Sequence, residues 1–284
     1  MQYGTSVAIP HASERTDPQP AARARPRATA RVRLRHFFPW VSVALALAVL
    51  WGFGPSYFFR AFITSPARTR TLTLLLHAHG LVNSCWITLL IVQTMLVAKH
   101  RTDIHRRLGL AGVVLAPAVV AIAFAVGAGG PMRSATWGAL AGRPVAKFTL
   151  LAMGHPGSPM IFGLLFTAAF WLRRQRDAHK RLVLLATLAI MDAPMTRALQ
   201  DLGWPITVTA SGTFRGQGNF WSPLFAKLGP IGLEHLNVLP FFMALVIYDI
   251  VKNRRLHTAT LLGGAVLYSF KPFFAFVFKQ IASS

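Results

Sequence analysis

Long apolar runs, separated by short clusters of arginine and lysine, most restrict how this 284-residue chain folds. A helix needs about 20 consecutive apolar residues to cross the hydrocarbon core of a bilayer. The segment "LLLHAHGLVNSCWITLLIVQ" at 74–93 is one such run, and several others are as long. The runs are continuous and do not alternate apolar with polar, so they read as helices that satisfy their own backbone hydrogen bonds in lipid. Only 13% of the residues are charged, where a soluble domain carries about a quarter. The expectation is an all-α, polytopic transmembrane helical bundle of about seven spans, at 37–58, 71–99, 108–129, 158–173, 180–198, 232–251 and 258–279.

The net charge of +22 does not indicate a nucleic-acid partner, because the basic residues lie between apolar runs and not on one soluble face. Such clusters follow the positive-inside pattern and suit the anionic headgroups of membrane lipids at cytoplasmic loops. With the N-terminus inside, the inside segments hold 19 of the 30 Lys and Arg residues and the outside segments 11. This predicts a multi-pass protein of a bacterial plasma (inner) membrane with a cytoplasmic N-terminus and an extracytoplasmic C-terminus. Residues 1–36 carry seven Arg and little apolar surface, the composition of a disordered basic tail preceding a transmembrane domain at 37–284. The single cysteine, Cys85, excludes an internal disulfide and reads as a small packing residue.

The transmembrane domain contains a repeat. "RTDIHRRLGLAG" at 101–112 and "QRDAHKRLVLLA" at 175–186 share Asp-x-His-[Arg/Lys]-Arg-Leu. Upstream of each lies a histidine followed by glycine: "HG" at His79 and "HPG" at His155, at separations of 26 residues to His105 and 24 to His179. Residues of about 71–129 and 148–199 therefore read as copies of one helix pair. Asp103 and Asp177 are placed to cap the helices that follow, with their basic neighbours snorkelling to headgroups.

Helical spacing puts His79, Asn83, Trp86, Leu90 and Gln93 on one face. This is the polar stripe of an aliphatic helix, so it points into the bundle. His77 lies two residues earlier, about 200° around the helix, and faces away. At similar depth come Asp192, beside a kink expected at Pro194, then Glu234, His235 and Lys271. With His155, these form a candidate extracytoplasmic site. Long outer segments with Trp137, Trp204, Phe220 and Trp221 flank it as lids or belt anchors.

Four chemistries fit. A haem b needs facing neutral imidazoles, each held through its second ring nitrogen; His79 with His155 or His235 supplies an outer pair, and His105 with His179 an inner one. If all the intervening residues were helical, an outer and an inner site would lie about 36–39 Å apart. A zinc hydrolase needs three ligands and an open position, available from His79, His235, Asp192 and Glu234. A transporter would use Asp192, His79 and Lys271 as titrating groups in a cavity. The fourth is a non-enzymatic assembly protein with a partner the sequence does not identify.

The stretches "HAHGLVNSCWITLLIVQTMLVAKHRTDIHRRLG" and "DAHKRLVLLATLAIMDAPMTRAL" resemble an uncharacterised family of bacterial multi-pass membrane proteins. In that family an outer His, a Trp and a Gln, matched here by His79, Trp86 and Gln93, precede a His-Arg-x-Leu-Gly loop. The resemblance covers helices two to five, implies a membrane bundle loosely like b-type cytochromes, and names no reaction.

Overall fold

A computed structural model describes residues 1, 4, 36–62, 72–128, 157–201, 207–208, 214–215 and 237–283. The expectations for His155, Glu234, His235, the 1–35 tail and the long outer segments lie outside these residues, as does the Lys271 side chain. The described chain is helical: α1 Phe37–Phe53, α2 Leu74–Ala98, α3 Thr102–Ala128, α4 Gly157–Trp171, α5 Arg176–Ile190, α6 Asp192–Asp201, α7 Leu239–Asn253 and α8 Thr258–Ser283. A two-residue antiparallel ladder pairs Thr207 with Arg215 and Val208 with Phe214.

Three helices are long and apolar enough to cross a membrane, and a fourth if α5 and α6 form one bent span. The helices at Gly157–Trp171 and Thr258–Phe270 are apolar but shorter. Large apolar side chains crowd the outside: Leu110 is 71% exposed, Val114 74% and Trp171 81%. In water such faces would aggregate; in a bilayer they are the solvated surface. Cys85 is on the exposed side of α2 and does not pack in the core.

The core joins α2 to α4 and α5. The Trp86 ring of α2 meets Phe162 edge-on at 4.9 Å and Phe166 at 5.4 Å, both from α4. Trp86 Nε1 donates to Thr187 Oγ1 of α5 at 3.2 Å, so one side chain ties three helices. Trp86 and Leu90 are buried while His77 is exposed, as the helical stripe predicted.

Two local features differ from expectation. The segment at 180–198 does not kink at Pro194; it breaks at Met191, and the axes of α5 and α6 differ by 61°. Proline has no N–H for the carbonyl of Ile190 and its ring crowds that carbonyl, so the helix stops and restarts one turn earlier. The second half packs on α1 at Gly52, where an added Cβ would lie 2.1 Å from the Pro194 carbonyl oxygen. Asp103 and Asp177 are not caps either. Each lies in the first turn of its helix, where a carboxylate complements the positive end of the dipole.

The α2–α3 and α4–α5 hairpins close differently, although His105 and His179 each occupy the fourth position of their helix. After α2, Arg101 N–H donates to Leu96 O at 2.8 Å and His100 N–H to Val97 O at 3.1 Å. This is a Schellman closure with His100 left-handed at φ 60. After α4, Leu172 N–H goes to Ala168 O and Arg173 N–H to Phe170 O. That skips the carbonyl of Ala169, which a side chain then satisfies.

Candidate functional site

The chain's three short basic turns meet at one end of the bundle. Here Arg181 of α5 is wholly buried, and so is Asp249 of α7. Arg181 Nε donates to Asp249 Oδ1 at 2.8 Å, and Nη2 bonds the same oxygen. The other oxygen, Asp249 Oδ2, accepts from His257 N–H at 3.1 Å and from Thr260 Oγ1 at 2.5 Å, at the start of α8. Asp249 thus neutralises a buried guanidinium and caps a helix at once. The expectation that the basic residues of this loop snorkel fails at Arg181, because Asp249 compensates its charge inside.

Asp177 forms an outer layer of the same network. Its Oδ1 lies 2.6 Å from Lys180 Nζ, 2.8 Å from Lys252 Nζ and 3.3 Å from Arg181 Nη1. Lys180 also donates to Tyr248 Oη at 3.3 Å, and the Tyr248 ring stacks on Phe37 at 4.4 Å. His257 caps α8 through its ring, with Ala259 N–H donating to Nδ1 at 3.1 Å. Burial, and then the positive charge of Arg181, push the His257 imidazole below its ordinary range, which keeps Nδ1 free of a proton and able to accept.

The paired histidines also belong to this end. His179 Nδ1–H donates to the skipped Ala169 carbonyl at 2.9 Å. His105 is close enough to His179 to couple with it electrostatically, and its ring faces the main chain of Gln93. The Gln93 amide is also near Gly109, one turn beyond His105. His105 Nδ1 and Gln93 Oε1 are shut off from solvent without a hydrogen-bond partner among the described residues. The turn after α2 brings His105 back to the level of Gln93. The vertical gap between His79 and His105 is therefore that of 14 residues, about 21 Å, and not the 36–39 Å of a continuous helix.

The opposite end holds His77, His79 and Asp192. His79 is half-buried; Asn83 Nδ2 donates to its carbonyl at 2.8 Å and lies 3.4 Å from its Nδ1. His77 meets Tyr57, from the π-helical turn Gly54–Phe58 that extends α1, with ring centroids 5.8 Å apart. Asp192 opens α6, one of its carboxylate oxygens is closed to solvent, and its charge acts on Tyr268 of α8. Arg197 reaches Ser56 Oγ at 3.2 Å and lies over the Phe53 ring at 4.5 Å. Asn237 Nδ2 donates to Thr196 Oγ1 at 2.6 Å, tying α6 to the start of α7. Among the described residues no group of three or more His, Cys, Asp or Glu side chains is placed to hold a metal ion.

Sequence reasoning named Asp177, His105 and His179 but missed Arg181, Asp249 and His257 as one network. The available signal was Asp249 itself, a carboxylate inside the apolar run "FFMALVIYDIV". The chain matches no family model, no curated protein and no solved structure.

Proposed function

We propose that the protein crosses a bacterial plasma membrane about seven times, with its basic end and N-terminus in the cytoplasm, and conducts protons or small ions along a path at the break between α5 and α6. The observation that carries this reading is the 61° break at Met191 with Asp192 at the head of the second half-helix. Broken spans supply polar groups and half-helix ends at depth, and a carboxylate inside a span is a site by default. The π-helical turn beside α6 adds support, because such turns concentrate where helices do work. The test is proton flux into liposomes holding a trapped pH dye, driven by a potassium diffusion potential. Wild-type protein should exceed protein-free liposomes and Asp192→Asn should not. Equal flux from wild type and Asp192→Asn, or none from either, sinks the reading.

A second reading rests on His179. Its Nδ1–H bond to a backbone carbonyl is the arrangement that fixes a ligating imidazole, and His105 is its neighbour. A haem b held there would supply one-electron chemistry. A reduced-minus-oxidised spectrum of protein made with ample haem decides it. An α-band lost in His179→Ala supports the reading, and a flat wild-type spectrum removes it.

A further inference from the structure

We infer that the basic end carries a binding site for one anionic phospholipid, with its phosphate on Lys180 and Lys252 and an acyl chain in a groove between α1 and α7. The inference rests on the membrane placement of the helices and not on the transport reading. The groove has a volume of about 510 Å³, and Phe37, Val41 and Ala44 of α1 face Pro240, Phe241 and Ala244 of α7 across it. It runs from Phe37 to Ala44, seven residues or about 10 Å of helix, and the small Ala44 and Ala244 make the hollow. Phe37 lines one end and is the residue that stacks on Tyr248. The apolar groove therefore runs directly into the cationic cluster.

Charge complementarity selects the occupant. Arg181 and Asp249 neutralise each other inside the protein, which leaves two ammonium groups against the single carboxylate of Asp177. An ammonium has three donors. Lys180 uses two, on Asp177 and Tyr248, and Lys252 uses one, on Asp177. Among the described residues three N–H donors and one net positive charge remain, at side chains 29% and 32% exposed. A phosphate diester supplies the missing acceptors, and a zwitterionic headgroup cancels part of the attraction with its own cation.

The experiment is native mass spectrometry of the full chain in detergent, titrated separately with dioleoyl phosphatidylglycerol and dioleoyl phosphatidylcholine. Wild type should retain one phosphatidylglycerol at least tenfold more tightly than phosphatidylcholine. Lys252→Met should bring the two lipids level, Lys252→Arg should restore the preference, and Ala44→Phe should weaken both. Melting curves in detergent confirm that each variant is folded. No preference in wild type, or a preference unchanged in Lys252→Met, overturns the inference. So does phosphatidylglycerol binding indifferent to Ala44→Phe, which would mean a phosphate site with no acyl groove. A dimer whose abundance falls with Ala44→Phe overturns it too, because a second copy would then be the occupant.

Discussion

Arg181 and Asp249, 68 residues apart in sequence, are joined by two hydrogen bonds with neither side chain exposed to solvent. The pair links α5 to α7, and through Thr260 and His257 it also fixes the start of α8.

Removing one partner strands the other charge inside the protein, which costs about 3–5 kcal/mol. Arg181→Met and Asp249→Leu should each lower the melting temperature in detergent strongly. The double variant should lose much less than the sum, because neither buried charge is then left alone. Additive losses would show that the two residues act separately.

His257 makes stability depend on pH. Its folded-state pKa is depressed by burial and by Arg181, so the native state binds fewer protons than the unfolded chain. The contribution is full above the unfolded value of about 6.5 and is lost as pH falls through the lower folded value. Melting temperature should fall as pH drops below about 6.5. His257→Asn keeps an oxygen acceptor for the Ala259 N–H and should flatten that slope.

His100 holds a left-handed conformation at φ 60 where glycine is usual. An L-residue there carries roughly 1 kcal/mol of strain. His100→Gly should raise stability by up to about 1 kcal/mol in a denaturation titration, with the α2–α3 turn unchanged. A loss of stability would assign the imidazole a contact that outweighs the strain.

Thr187→Val keeps the shape of the core but takes away the acceptor for Trp86 Nε1. A buried donor left without a partner costs about 1–3 kcal/mol. The loss should be accompanied by a shift in tryptophan fluorescence, which a neutral substitution would not give.

Gly52→Ala tests how α6 is seated. The new Cβ would lie 2.1 Å from the Pro194 oxygen, a backbone atom, so α6 must move away from α1. Protease sensitivity of the α5–α6 break should rise, and proton flux should fall if that break is the conducting element.

Much of the bundle was legible in the chain. Hydropathy marked where α1, α2 and α3 run, and the 3.6-residue period aimed Trp86 inward and His77 outward. The shared Asp-x-His motif placed His105 and His179 at the same helical position in two hairpins. Less of the site was legible. The motif could not reveal that His179 Nδ1 caps the Ala169 carbonyl while His105 Nδ1 has no hydrogen-bond partner among the described residues. That difference comes from the turns, one closed by a left-handed residue and the other skipping a carbonyl.

The sequence by itself determined which helices are long and apolar enough to cross a membrane, the course of the longest of them and the faces they bury, because those follow from the order of apolar and polar residues along a few turns. The tertiary structure alone decided that Arg181 is buried, that Asp249 is its partner, and that the chain breaks between α5 and α6 at Met191 against Gly52. Those outcomes depend on distances between helices. The desolvation of a charge and the clash of a carbonyl are set by what packs opposite, and no local pattern encodes that neighbour.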